Sequence, residues 1–168
     1  RTLTINICAF SNCGNLTRFL IKSRCICEIG IFSGCSSLKT VMLGYNSYFY
    51  SSAFENCASL ESLCAYSDNN FPYYISDLVL ERCEEKMFFN CTSIKKVVFS
   101  GSVPVISNNC FFNCTSLEIC DLSKSDVVEI KRDAFRYCNN LKKFILPDCL
   151  IRIVDYAFSN ISSLNIYY

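Results

Sequence analysis

The sequence predicts a solenoid: one short unit of structure, repeated about seven times and stacked around a continuous core. Three observations carry this. A phenylalanine recurs at Phe10, Phe32, Phe54, Phe88, Phe111, Phe135 and Phe158, at intervals of 22, 22, 34, 23, 24 and 23 residues. Three residues after each stands a cysteine, at Cys13, Cys35, Cys57, Cys91, Cys114 and Cys138, with Ile161 in the last copy. Six residues after each stands an aliphatic, at Leu16, Leu38, Leu60, Ile94, Leu117, Leu141 and Leu164, and five before it another apolar group, from Ile5 to Ile153. Self-similarity at a fixed period of 20 to 50 residues marks a repeat architecture, in which no unit buries its apolar face without its neighbours.

Each copy divides into three parts. Ala134, Phe135 and Cys138 are spaced so that one helical turn places them on one face, which predicts a short helical turn, with Ser52, Asn109 and Asp133 as N-cap candidates. From the aliphatic onward the pattern is Leu-x-x-φ-x-φ, as in Leu141 to Leu146 or Ile94 to Phe99, which predicts a strand whose first, fourth and sixth residues face inward. A return segment then leads to the next copy. The expected fold is a leucine-rich repeat solenoid of about seven coils, with a parallel β-sheet on the concave face and short helical turns on the other side.

The phrase Ala157-Phe158-Ser159-Asn160 followed by Ser163-Leu164, and Leu146-Pro147 leading through Ile153 to Ala157-Phe158, resemble the BspA-like class of leucine-rich repeats. The resemblance covers essentially the whole chain. It implies a surface or secreted adhesion or interaction protein of the kind found in bacteria and parasitic protists. The sequence departs from the class in its many cysteines, in the loss of Leu-Pro from most copies and in the long third interval.

The 168 residues, 51% of them hydrophobic, suffice for a single domain over 1–168 with one core. Charged residues make up 18%, below the usual ~25%, as expected where several apolar columns are buried per coil. A net charge of +1 supplies no overall field for nucleic acid or membrane, and no apolar run reaches the ~18 residues of a span. Neither end carries a polar cap, which reads as a segment of a longer or processed protein. The 34-residue interval holds an insertion loop at about 67–77, where Phe71, Tyr73 and Tyr74 either pack back on the solenoid or form a contact loop.

The outward strand positions define a candidate ligand-binding face. Arg18, Lys39, the pair Lys95 and Lys96, and the pair Lys142 and Lys143 supply charge; Leu20, Met42, Val98 and Ile145 supply an apolar stripe beside them. Such a stripe is either a protein-binding strip or a set of good strand formers sealing the sheet.

Fourteen cysteines permit a disulfide framework, but nine occupy core positions: the six of the turn column with Cys27, Cys83 and Cys120. Cysteine as a small buried hydrophobe explains these, and side chains stacked ~4.8 Å apart are poorly placed for bridges within one column. Mostly reduced thiols are expected, with Cys8, Cys25, Cys64, Cys110 and Cys149 as the candidate exceptions. The chain has no histidine, no C-x-x-C pair and no phosphate loop, so no metal, cofactor or catalytic site is expected. Sequons occur at Asn15, Asn90, Asn113 and Asn160; three belong to a column shared with Asn12 and Asn56, which an asparagine stack explains without glycans.

Two functions are therefore expected in order, with a purely architectural spacer role as a third. The first is a non-catalytic adhesion or recognition module, surface or secreted, that binds a protein or extracellular-matrix ligand. The second is an intracellular (cytoplasmic) scaffold or regulatory array, which the core thiols favour because free cysteines are safest in a reducing compartment.

Overall fold

The computed structural model describes residues 1–44, 47–65, 78–80 and 83–168. The coils stack as expected, and most contribute to two strand faces rather than one. On the first face lie β2 (Arg18–Leu20), β4 (Thr40–Leu43) and β6 (Ser62–Ala65), then β7 (Leu78–Leu80), β8 (Lys96–Gly101), β10 (Ile119–Ser125), β12 (Lys143–Ile145) and β14 (Asn165–Tyr167). The return segments form the second face: β1 (Thr2–Ile5), β3 (Arg24–Cys27), β5 (Tyr48–Phe49), β9 (Val105–Ile106), β11 (Glu129–Ile130) and β13 (Arg152–Ile153). All pairings among the described residues are parallel. The first face comprises a sheet of order β2-β4-β6 and one of order β14-β12-β10-β8-β7; β6 and β7 lie side by side without a shared ladder.

The strand register follows the sequence pattern. Ile94, Val97 and Phe99, like Leu117, Cys120 and Leu122, are buried at the first, fourth and sixth positions. One apolar cluster runs from Ile5 to Ala157. Through it passes a file of stacked phenylalanines, Phe10, Phe32, Phe54, Phe88, Phe111, Phe135 and Phe158, with successive centroids 5.8, 5.7, 5.5, 5.2, 5.2 and 5.4 Å apart. The file crosses the 34-residue interval without a break. The additional residues therefore do not separate Phe54 from Phe88, and within that interval Leu78–Leu80 forms β7 against β8. The insertion loop at 67–77 lies outside the described residues.

The third side of each coil is not helical. No helix occurs among the described residues, and the segment around each phenylalanine is a run of overlapping turns. Two positions per coil are left-handed. Cys8, Gly30, Ser52, Lys86, Asn109, Asp133 and Tyr156 precede the phenylalanine by two, and Asn12, Gly34, Asn56, Asn90, Asn113, Tyr137 and Asn160 follow it by two, all with φ between 53° and 78°. Ser52, Asn109 and Asp133 are thus not N-caps but left-handed turn residues. A repeated three-and-four spacing places side chains on one face in either geometry, so the spacing alone did not separate helix from turn.

The left-handed residues redirect alternate amides along the stack. Within the fifth coil, the N–H groups of Cys110, Phe112 and Cys114 donate to Ser107, Asn109 and Phe111 of the same coil, at 3.3, 3.2 and 3.2 Å. Those of Asn109, Phe111 and Asn113 donate to Arg132, Ala134 and Arg136 of the next, at 3.1, 2.8 and 2.8 Å. The preference for asparagine and glycine follows, because L-residues with a bulkier side chain reach this region only at a cost. Asparagine adds a second contact: Asn113 Nδ2 donates to Asn90 Oδ1 at 2.9 Å, and Asn90 Nδ2 to Asn56 Oδ1 at 2.8 Å. At Gly34 the side-chain space is taken by the Asn12 amide, so this coil needs glycine for room as well as for φ.

Phe111 is fully buried, with rings 5.2 Å away on both sides. Phe111→Ala is expected to cost about 3 to 5 kcal/mol in urea melts, and a loss below about 1 kcal/mol would show that the file is not core. Asn113→Ala is expected to cost about 1 to 2 kcal/mol through its left-handed φ, whereas Asn113→Gly, which keeps the backbone and loses only the amide contact, costs less. Equal losses in the two variants would contradict that assignment of φ.

Candidate functional site

The outward side of the first strand face carries the positions expected to meet a ligand. Parallel register places Arg18 beside Thr40 and Leu20 beside Met42 in the first sheet. In the second, Lys96, Ile119 and Lys143 align across three strands, as do Val98, Asp121 and Ile145. The N–H of Glu118 donates to the Lys95 carbonyl at 2.8 Å and that of Lys142 to the Glu118 carbonyl at 2.9 Å, which sets Lys95, Glu118 and Lys142 in a row just before these strands. The two lysine pairs are therefore brought onto one face two ladder steps apart, with Glu118 and Ile119 between them. Lys143 also lies over the Tyr167 ring, 5.3 Å from its centroid.

The apolar stripe is interrupted. Met42 is only 5% exposed and belongs to the interior, Leu20 is 52% exposed, and Val98 and Ile145 are half-buried. Asp121 stands between Val98 and Ile145, its Oδ1 accepting from the N–H and hydroxyl of Ser123 at 2.9 and 2.6 Å. The described face is thus two charged patches: Arg18 and Lys39 on the first sheet, and Lys95, Lys96, Lys142 and Lys143 on the second. Phe71, Tyr73 and Tyr74 lie outside the described residues.

Sequence reasoning overlooked a second surface cluster, on the turn side of the later coils. Phe89 and Phe112 stack at 4.8 Å, and Phe112 meets Tyr137 edge-on at 5.3 Å. The Arg136 guanidinium lies 4.9 Å from the Tyr137 centroid and 5.5 Å from that of Tyr156, and its Nη1 pairs with Asp133 Oδ1 at 3.2 Å. The signal was present in the Phe88-Phe89 and Phe111-Phe112 doublets, where earlier coils carry Ser11, Ser33 and Glu55 after the core phenylalanine.

The cysteine column is more than packing. The thiols of Cys35, Cys57, Cys91, Cys114 and Cys138 each donate to the carbonyl of the phenylalanine one coil back, Phe10, Phe32, Phe54, Phe88 and Phe111, at 3.0 to 3.2 Å. Burial pushes Cys57 and Cys138 up to about 12 and carries Cys91, Cys114 and Cys120 well above the ordinary thiol value. These are inert, protonated thiols rather than nucleophiles.

Two expectations about the cysteines are overturned. Cys13, in the first coil, is exposed rather than core. Cys83 is not a reduced core thiol: it is bridged to Cys110, with Cα atoms 6.5 Å apart. The pair does not lie within one column. Cys83 comes from the return segment of one coil and Cys110 from the turn of the next, and no other successive coils carry cysteine at both positions. Of the other candidate exceptions, Cys8 and Cys149 are exposed and free, and Cys25 is buried and free.

The raised thiols fix a pH dependence. An unfolded thiol ionises near 9.0, whereas the folded Cys57 holds its proton until about 12. Stability is therefore complete below pH 9 and falls as pH rises, by roughly 1.4 kcal/mol per pH unit for each such thiol. Urea melts across this alkaline range are expected to show a slope that Cys57→Ala reduces by one thiol's share; an unchanged slope would contradict the buried, protonated assignment.

Comparison with known proteins bears on the fold. A family profile described as a BspA type leucine rich repeat region, in six copies, matches residues 1–75 and 64–168. No curated protein matches the chain. Among solved structures, a leucine rich cell surface protein from Faecalibacterium prausnitzii is similar at 17% identity and a TM-score of 0.43, over 98% of this chain and 69% of that one. A leucine-rich repeat protein from Bacteroides ovatus is similar at 18% identity and a TM-score of 0.38, over 95% of this chain and 58% of that one. With the family profile spanning both halves of a chain whose phenylalanine, cysteine and leucine columns stack as described, the protein belongs to the BspA-type leucine-rich repeat family.

Proposed function

We propose that the chain is a non-catalytic adhesion module of a surface or secreted protein, and that it engages a protein or extracellular-matrix ligand through the outward side of its first strand face. The observation that carries this is the gathering of Lys95, Lys96, Lys142 and Lys143 onto one face by the parallel register. A rigid sheet holds these cations at fixed spacing without ordering a loop, which lowers the entropic cost of docking. Their charge favours a partner with an acidic segment and speeds encounter more than it deepens affinity. The family is one of interaction proteins, and the Cys83–Cys110 bridge favours an oxidising compartment.

A second reading has its own support. The thiol donors at Cys35 through Cys138 require reduced cysteines, and an intracellular scaffold would keep them so. Mass mapping of alkylated, denatured and unreduced protein from its native source separates the readings. Protection of Cys83 and Cys110 alone is expected for a surface protein, and full labelling of both would favour the scaffold.

Adhesion is tested by coupling the chain to beads and scoring capture by immobilised matrix proteins and intact cells. The fourfold Lys→Glu variant at 95, 96, 142 and 143 is expected to lose binding at least about tenfold while still unfolding cooperatively, and binding by the parent chain is expected to weaken at high salt. Undiminished binding by that variant would remove the strand face from the reading.

A further inference from the structure

The four sequons are not equivalent in the folded chain. Asn90 and Asn113 sit in the left-handed column with their amides tied into the ladder: Asn113 donates to Asn90, and Asn90 to Asn56. Each is followed by a fully buried cysteine, Cys91 or Cys114, and Thr92 spends its hydroxyl on the Ala58 carbonyl at 3.3 Å. A glycan at either asparagine would have to leave through a half-buried stack already filled by its neighbours. Asn15 stands elsewhere, at the corner between turn and strand, where other coils carry Ser37, Ser59, Ser93 or Ser116. Asn15 and Thr17 are both exposed, on either side of the partly buried Leu16. Neither side chain makes a hydrogen bond among the described residues, while the Thr17 carbonyl is anchored by Lys39 N–H at 2.9 Å. Asn160 belongs to the column by sequence, but the preceding position is Tyr137, which offers no amide, and both Asn160 and Ser162 are exposed.

We propose that Asn15 and Asn160 are acceptors for N-linked oligosaccharide and that Asn90 and Asn113 are structural residues that carry none. The donor is a lipid-diphosphate-linked oligosaccharide. The acceptor Nδ2 bonds to the anomeric carbon, the bond from that carbon to the diphosphate oxygen breaks, and the lipid diphosphate leaves with the electron pair and takes up the proton released by the amide. The sequon hydroxyl must be reachable together with the amide, which holds at Thr17 and Ser162 and fails at Thr92. This inference rests on the surface or secreted reading, since the transfer takes place along the secretory route. A glycan at Asn15 would stand next to Arg18 at the border of the first charged patch and leave the lysine pairs of the later coils open.

The test is to express the chain behind a secretion leader in a eukaryotic host, release glycans with peptide N-glycosidase in heavy-oxygen water and map the labelled aspartates by mass spectrometry. Label at Asn15, Asn160 or both, with none at Asn90 and Asn113, is expected; Asn15→Gln and Thr17→Ala should each abolish the Asn15 label without loss of secreted yield. Label at Asn90 or Asn113 in the folded, secreted protein would overturn the assignment, as would the absence of label at both Asn15 and Asn160. If the secreted chain is labelled as expected but the protein from its native source is bare, the modification in the cell falls, while the accessibility of these two asparagines stands.

Discussion

The backbone hydrogen bonds that join one coil to the next at three alternate positions around each phenylalanine from Phe10 to Phe135 are the constraint on which the rest of the structure depends. They exist because the residues two before and two after the phenylalanine are left-handed, as at Asn109 and Asn113. A helical turn would have spent these amides inside its own coil. Left-handed turns direct them along the stack instead, so that a coil alone would leave them unpaired, and unpaired buried amides are costly. Stability therefore resides between coils, and the phenylalanine file is the apolar counterpart of the same arrangement.

The side-chain columns follow from that spacing. Coils held this close bring each thiol within reach of a carbonyl one coil back, so cysteine fills a position that is small, apolar and in need of a weak donor. In the last coil Ile161 fills the space without the donor. The Cys83–Cys110 bridge has the same origin: the two meet because a return segment packs against the turn of the following coil, and cysteine occupies both places in the sequence only there. The column thiols from Cys35 to Cys138 have carbonyl acceptors as partners and stay unbridged.

Much of this was legible because it is periodic. The columns at Phe111, Leu117 and Val97 gave the coil, its inward positions and the parallel strand. The turn side was misread because Ala134, Phe135 and Cys138 share one face in a helix and in a chain of turns alike; the discriminating signal was the run of asparagine and glycine at the left-handed positions. Cross-column pairing escaped a column-by-column reading, which is why Cys83 was assigned as a free thiol. The surface was least legible. Nothing periodic marks Met42 as buried while Leu20 in the same column is open, and the Phe89 and Phe112 pair is aperiodic by nature. Parallel register aligns the lysine pairs on the strand face, but Asp121 and Glu118 divide what had looked like a continuous strip.

The central claim is that the coils are stabilised by nearest-neighbour contact through the phenylalanine file, and a double-mutant cycle tests it most directly. Phe88→Leu and Phe111→Leu, singly and together, are expected to show a coupling energy of about 0.5 to 1.5 kcal/mol in urea melts, while Phe54→Leu with Phe111→Leu, one coil removed, is expected to be additive within about 0.5 kcal/mol. Additivity at the neighbouring pair, or equal coupling at the separated pair, would contradict the account.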